Sequence, residues 1–136
     1  MPNHFYLVTT VTVARRRWFD SPTHARAVAR LMIERRAWGD ARLHAWVLMP
    51  DHWHGLLQLG DRDGLPVVVN RFKALTAKAV PRKDGEAGVW ARGYHDHALR
   101  WDEDIREAAR YVIANPLRAG IVSHALDYPY WDAVWL

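Results

Sequence analysis

Two histidines two positions apart, His52 and His54, lie in the most informative stretch of the sequence, residues 49–57 (MPDHWHGLL). If this stretch is a strand, both side chains project from one face while Trp53 projects from the other, because side chains alternate across a strand. Two neutral imidazoles so placed can bind a metal, and a catalytic metal site also needs a third ligand and open positions. The alternative is a pair of histidines on a solvated strand face.

A tyrosine and an asparagine four residues apart, Tyr111 and Asn115, fall near the end of the last helical pattern. At about 100° per residue they lie on one side of a helix, flanking the apolar stripe that contains Ile105 and Val112. Pro116 disfavours helical geometry at Asn115, which predicts that the helix ends or bends there. This helix offers a candidate nucleophile and a candidate third ligand. The same spacing is also typical of a packed tyrosine and a capping asparagine.

The chain is basic and rich in arginine, with 19 lysines and arginines, 15 acidic residues, a net charge of +4 and a pI near 9.8. Guanidinium groups suit phosphate oxygens and stack on bases, so the composition indicates a polyanionic partner such as nucleic acid. The candidate contacts to a DNA backbone are Arg15, Arg16, Arg17, Arg71, Lys73, Lys78, Arg82 and Lys83. A second His-x-His, His95 and His97, is a candidate for contact with DNA or metal, or else is structural.

Apolar periodicity predicts the elements that position these residues. The predicted strands cover residues 5–13, 43–49, 52–59 and 94–100, and the second and third form a hairpin. One predicted helix begins at Asp20-Ser21-Pro22 and ends at Gly39, a second runs from Gly64 to Pro81, and a third begins with Asp102 as its cap. The order β, α, β, β, α, β, α predicts an α+β fold, a ferredoxin-like antiparallel sheet flanked by helices, with the tyrosine on the C-terminal helix.

Length and composition limit the classes of protein. A chain of 136 residues, half of them hydrophobic and a quarter charged, is expected to form a single domain over residues 1–136. The absence of cysteine excludes disulfide scaffolds, thiolate zinc sites and cysteine nucleophiles. No long apolar run occurs, and no basic segment precedes an apolar one at the N-terminus. We therefore expect a protein that is neither secreted nor membrane-spanning.

Four stretches resemble the REP-associated tyrosine transposases, a branch of the single-tyrosine transposases that carry a His-hydrophobic-His motif. The stretches are residues 49–57 (MPDHWHGLL), 89–100 (VWARGYHDHALR), 109–122 (ARYVIANPLRAGIV) and 130–135 (YWDAVW). They follow in order over nearly the whole chain, and the combination of His-Trp-His with Tyr-Val-Ile-Ala-Asn-Pro is specific. The resemblance implies a ferredoxin-like core that binds single-stranded DNA with hairpins from repetitive extragenic palindromes.

The resemblance also implies roles for individual residues. His52 and His54 would be metal ligands, Asn115 would complete the metal site, and Tyr111 would cleave DNA as the nucleophile through a covalent 5′-phosphotyrosine. The divalent metal ion would be magnesium or manganese (Mg²⁺ or Mn²⁺). The expected protein acts on DNA in the bacterial cytoplasm, as a monomer or a homodimer.

Two other interpretations stay open at this point. One is a catalytically inactive DNA-binding regulator derived from a transposase, although a decayed site would be expected to lose some of the histidines, the tyrosine or the asparagine, and all are present. The other is a zinc hydrolase built on His52, His54, His95 and His97. Four histidines would satisfy a tetrahedral zinc site but would leave no open position and no role for Tyr111.

Overall fold

The computed structural model describes residues 4–83, 85–124 and 128–133. In this part of the chain one antiparallel sheet has five strands in the order β4-β1-β3-β2-β5. The strands are β1 (Phe5–Val11), β2 (Arg42–Met49), β3 (His52–Gln58), β4 (His95–Leu99) and β5 (Trp131–Ala133). The helices are α1 (Pro22–Leu31), α2 (Arg35–Trp38), α3 (Leu65–Ala79), α4 (Asp102–Ile113) and α5 (Asn115–Arg118). The predicted α+β class, a ferredoxin-like antiparallel sheet flanked by helices, is confirmed.

The predicted hairpin of β2 and β3 forms the middle of the sheet. Its turn brings Met49 opposite His52, and β3 lies between β2 and β1. His54 therefore has Val47 on one side and Thr9 on the other. A strand that is hydrogen-bonded along both edges is held rigidly, so the His-Trp-His segment lies on the least mobile kind of backbone.

One face of the sheet packs against α1, α2 and α3. Trp53 points to this face and is 1% exposed, with its ring centroid 4.3 Å from Phe72 and 5.9 Å from Trp38. Its indole lies across the backbone of Gly55, where a Cβ atom would be only 2.0 Å from Cη2 of Trp53. The glycine two residues after the tryptophan is therefore required by packing.

The opposite face of the sheet packs against α4. The apolar stripe predicted for this helix is buried there, against residues of β2, β3, β4 and β5. The buried residues of the helix are Ile105, Ala108, Ala109 and Val112, and those of the sheet are Ala45, Val47, Met49, Leu56, Leu99 and Ala133. Full burial of a valine or leucine side chain contributes about 1.5–3 kcal/mol. This apolar contact therefore fixes α4 over the strand that carries His52 and His54.

The prediction of one helix from Asp20 to Gly39 is wrong in extent, because this segment forms two helices, α1 and α2, separated by a turn. The amide of Met32 bonds to the carbonyl of Ala29 in a tightened last turn. The carbonyl of Met32 then accepts a hydrogen bond of 2.9 Å from the indole Nε1 of Trp38. A side chain thus takes the place of a helical amide, and the helix ends.

None of the helices in the described part of the chain has the length and apolarity needed to span a membrane.

Two further boundaries and one strand illustrate where the structure departs from the predictions. β1 ends at Val11 instead of Val13, because the backbone turns into the left-handed region at Ala14 and Arg15, with φ of 54° and 55°. The N-cap of α4 is Trp101, and Asp102 is the first helical residue, where its charge still complements the helix dipole. The strand β5 was not predicted. This strand forms by pairing with the edge of β2, and a sequence of three residues is too short to predict that pairing.

Candidate active site

His52 and His54 lie side by side on the α4 face of β3, while Trp53 lies on the other face, as the alternation predicts. Their ring centroids are 4.7 Å apart and the rings are nearly perpendicular. The side chain of His52 is 14% exposed, and His54 lines an open cavity. Two imidazoles on one strand at this separation match the first requirement of a metal site.

Each of these imidazoles is held by its Nδ1 atom. Nδ1 of His52 lies 2.7 Å from the carboxylate of Asp51, and Nδ1 of His54 lies 2.7 Å from Oγ1 of Thr9. An ionised carboxylate only accepts hydrogen bonds, so Nδ1 of His52 is the donor and its Nε2 keeps a lone pair when the ring is neutral. A partner on one ring nitrogen that leaves the other free is the usual outer shell of a metal-binding histidine.

Asp51 connects His52 to Arg15, whose Nε donates to the carboxylate at 3.0 Å. Partial burial acts to raise the pKa of Asp51, but the hydrogen bonds and charges of His52 and Arg15 outweigh it and lower the pKa. The carboxylate is therefore ionised at neutral pH. It can orient His52 as a permanent acceptor.

Burial makes His54 a neutral imidazole. Burial is the largest cause that lowers the pKa of His54 to about 3, and the Coulombic interactions with His52, Arg118 and Arg15 lower it further. A ring that does not bind a proton at neutral pH offers its lone pair to a metal ion without competition. The environment of His54 thus suits a ligand better than a proton carrier.

Tyr111 lies on α4 beside this pair. Its ring centroid is 6.3 Å from that of His54, and its side chain is 49% exposed. Both rings line a cavity of about 520 Å³ between α4 and the strands β1, β3 and β4. The other lining residues are Leu7, Thr9, His97, Leu99, Asp104, Glu107 and Ala108. The structure therefore brings the candidate nucleophile and one candidate ligand to the same open space.

Asn115 lies beyond the end of the helix that carries Tyr111, because the helix breaks before Pro116 as the sequence predicted. α4 ends at Ile113 and Asn115 is the first residue of α5, followed by Pro116. Proline fits the first turn of a helix but not its interior, so the helix is interrupted as Pro116 indicated. Asn115 is 9% exposed and lies two residues after the end of α4. Hard divalent cations accept amide oxygens as ligands, so Asn115 stays a candidate ligand.

The two imidazoles suit a divalent metal, and water-accessible space adjoins His54. Asn115 is not among the residues that line this space, so its role as the third ligand stays a prediction. The rival zinc site of four histidines is not formed. His95 and His97 point to the α4 face from β4, and His97 lines the cavity, but no three His, Cys, Asp or Glu side chains among the described residues converge on one point. His95 and His97 stay candidates for contact with DNA.

The three consecutive arginines after β1 each form an ion pair. The pairs are Arg15 with Asp51 at 3.0 Å, Arg16 with Glu86 at 3.4 Å and Arg17 with Asp20 at 2.7 Å. The arginine side chains are more than half exposed. Exposed ion pairs contribute little free energy and are easily exchanged for another anion. Contact of these arginines with phosphate therefore stays a prediction.

The basic residues of α3 are not brought together with the histidines, because α3 packs on the opposite face of the sheet. Arg71 pairs with Asp63 at 3.0 Å, and the ammonium group of Lys73 donates to the carbonyls of Ala91 and Gly93. Arg71 and Lys73 thus have structural partners. The remaining candidates, Lys78, Arg82 and Lys83, are exposed at the end of α3 and beyond it.

Three residues of the site were not predicted from the sequence. Thr9 gives no sequence signal, because its contact with His54 depends on how β1 pairs with β3. Asp51 could have been found, since it directly precedes His52. Arg118 stacks on the ring of Tyr111 with its Cζ 3.7 Å from the ring centroid. It follows Tyr111 by seven residues, a helical spacing that the break before Asn115 conceals.

Two other tyrosines, Tyr94 and Tyr128, are not among the residues that line this cavity. The hydroxyl of Tyr128 donates to the carbonyl of Leu48, and burial raises the pKa of Tyr128. Tyr94 packs against the core on the α1–α3 face, and burial raises its pKa too. Among these three, Tyr111 alone combines exposure with a place beside His54.

Comparison with known proteins identifies relatives that are longer than this chain. The REP-associated tyrosine transposase of Escherichia coli strain K12 is 30% identical over 88 residues, covering 63% of this chain and 50% of that protein. A relative from Haemophilus influenzae is 29% identical over 94 residues, covering 61% of this chain and 53% of that protein. The chain spans about half the length of the curated relatives it matches.

A solved structure shares the fold. It shows a REP-associated tyrosine transposase bound to a REP hairpin, with a TM-score of 0.77 at 22% identity over 96% of this chain and 77% of that chain. The family model described as "Transposase IS200 like" matches residues 1–115. The resemblance to REP-associated tyrosine transposases is thereby confirmed, and the chain belongs to the IS200-like transposase family.

Proposed function

We propose that this protein is a metal-dependent endonuclease and strand transferase of single-stranded DNA, acting on hairpins of the repetitive extragenic palindrome type. One observation carries the proposal. The half-exposed Tyr111 lies in one cavity with His54, and His54 lies next to His52 with Nδ1 of both rings already engaged. A nucleophile beside two imidazole nitrogens that can bind a metal suits cleavage of a phosphodiester.

The proposed reaction is a transesterification. The phenolic oxygen of Tyr111 forms a bond to phosphorus, and the bond from phosphorus to the 3′ oxygen of the upstream nucleotide breaks. The phenolic proton leaves to solvent, and the departing 3′ oxygen takes up a proton. The downstream strand stays on the protein as a 5′-phosphotyrosine. Attack of a 3′ hydroxyl on that ester reverses the step, so the same site can join strands.

The residues of the chain prepare this step in three ways. His52, His54 and Asn115 would hold Mg²⁺ or Mn²⁺, which supplies charge stabilisation for the phosphate oxygens when it is bound. Asp51 and Thr9 orient the two imidazoles through Nδ1. The apolar contact of α4 with the sheet holds Tyr111 at a fixed distance from the histidines.

Two observations support hairpin DNA as the substrate. The chain carries a net charge of +4 with exposed arginines, as expected for a protein that binds phosphate backbones. The solved relative that shares the fold is bound to a REP hairpin. The longer relatives contain additional sequence, so activity of this segment alone is part of the proposal.

The test uses one hairpin substrate labelled at either end. With the metal ion present, the 3′-labelled downstream fragment is expected to migrate with the protein on a denaturing gel, and the 5′-labelled fragment is expected to be released. Tyr111→Phe keeps the ring but should lose both cleavage and adduct, whereas the control Tyr94→Phe should keep them. Hairpin binding without cleavage by the unsubstituted protein would instead identify a DNA-binding regulator.

A further inference from the structure

Arg118 makes two separate contacts with Tyr111. Its guanidinium carbon lies 3.7 Å from the centroid of the tyrosine ring. Its Nη1 atom donates a hydrogen bond of 2.9 Å to the backbone carbonyl of Tyr111. One side chain thus holds both the ring and the backbone of the residue that we propose as the nucleophile.

The break between α4 and α5 explains why this carbonyl is available. The last carbonyls of a helix have no intrahelical partner, and α4 ends two residues after Tyr111. Arginine side chains commonly cap such carbonyls near a helix C-terminus. α5 begins directly after the break and returns Arg118 towards the end of α4. The interruption at Pro116 therefore has a consequence for Tyr111 beyond ending the helix.

The tyrosine needs such a contact because the protein core does not hold it. Its side chain is 49% exposed, and an exposed aromatic ring on a helix exchanges between rotamers. A guanidinium group stacked on one side of the ring restricts that exchange.

We propose that Arg118 is a positioning residue that restrains Tyr111 in the rotamer from which its hydroxyl reaches the phosphate. This inference rests on the proposed role of Tyr111 as the nucleophile. Arg118 is exposed and belongs to neither cluster of buried apolar residues. Its replacement should consequently change the reaction without unfolding the protein.

The test compares Arg118→Gln and Arg118→Lys with a matched control, Arg110→Gln. Arg110 precedes Tyr111 directly and is exposed, whereas the guanidinium group stacked on the tyrosine ring is that of Arg118. At saturating hairpin, Arg118→Gln is expected to lower the single-turnover rate of adduct formation by about 10-fold to 100-fold, the cost of a misplaced reacting group. Arg118→Lys should recover part of the rate, and Arg110→Gln should react like the unsubstituted protein.

Two further measurements exclude a merely structural or electrostatic effect. The hairpin Kd and the melting temperature of Arg118→Gln are expected to match those of Arg110→Gln. In ¹⁹F NMR of protein labelled with 3-fluorotyrosine, the Tyr111 signal, assigned by its loss in Tyr111→Phe, should shift or broaden in Arg118→Gln only. An unchanged adduct rate in Arg118→Gln, or an equal loss in Arg110→Gln, would overturn the proposal.

The proposed function can fail separately from this inference. No adduct in the unsubstituted protein would refute the nucleophilic role of Tyr111 and, with it, the catalytic purpose assigned to Arg118. A ¹⁹F signal that still changes in Arg118→Gln would then establish a restraint on the ring without that purpose. An adduct that forms normally together with an unchanged ¹⁹F signal in Arg118→Gln would refute the inference on Arg118 alone.

Discussion

Thr9 and Thr10 are neighbours on β1 whose hydroxyl groups have opposite surroundings. Oγ1 of Thr9 lies 2.7 Å from Nδ1 of His54. Thr10 is 0% exposed on the other face of the sheet, and its Oγ1 has no hydrogen-bond partner within the described residues. Valine has nearly the shape of threonine without the hydroxyl. Thr9→Val and Thr10→Val therefore measure, on one strand, how much a paired and an unpaired hydroxyl group contribute to the free energy of unfolding.

The two substitutions are expected to act in opposite directions. Thr9→Val leaves Nδ1 of the largely buried His54 ring without a partner, which costs about 1–3 kcal/mol in the free energy of unfolding. It also frees the orientation of the ring, and loss of such a partner typically lowers metal affinity or activity by about 10-fold to 100-fold. Thr10→Val removes a buried hydroxyl that nothing satisfies, so it should leave stability unchanged or raise it by up to about 1 kcal/mol.

Thermal unfolding in a chelating buffer measures the stability of each variant without metal. For domains slightly larger than this one, a change of 1 kcal/mol in the free energy of unfolding shifts Tm by about 2–4 °C. Calorimetric titration with Mn²⁺ and the single-turnover rate of adduct formation report on the site. If Thr9→Val matches the unsubstituted protein in all three measurements, the contact with His54 has no role. A Thr10→Val variant that melts several degrees lower would show that its hydroxyl is satisfied after all.

Three other outcomes follow from the site, the core and the charge. His52→Ala is expected to abolish cleavage and leave the hairpin Kd nearly unchanged, and excess chelator should do the same to the unsubstituted protein; cleavage that persists in chelator would exclude a metal. Gly55→Ala forces a Cβ atom against the buried Trp53 and should lower the free energy of unfolding by about 1–3 kcal/mol in urea titrations; a cost near zero would contradict the close packing. Arg82→Ala and Lys83→Ala should each reduce the slope of log Kd against log salt by about 0.7 if each side chain contacts a phosphate of single-stranded DNA; an unchanged slope removes that residue from the interface.

The features that depend on neighbours in sequence could be predicted from the sequence. The hairpin of β2 and β3 follows from two alternating segments separated by Pro50 and Asp51, and the buried stripe of α4 follows from its helical period. The opposite orientation of Trp53 and the two histidines needs only the geometry of a strand. Local errors arose where a side chain replaced a backbone partner, as the indole of Trp38 does at the end of α1.

The amino-acid sequence by itself determined the class of fold, the facing pair His52 and His54, and the family, because strand alternation, helical period and motif order are local properties. The tertiary structure decided which groups meet. Thr9 reaches His54 across 45 positions, and Tyr111 reaches it only because α4 docks on the sheet. Strand register and helix docking are set by the summed burial of many distant side chains. No single segment determines this total. Only the folded chain therefore shows the partners of the imidazoles, the contact of Arg118 with Tyr111 and the separation of the α3 cations from the site.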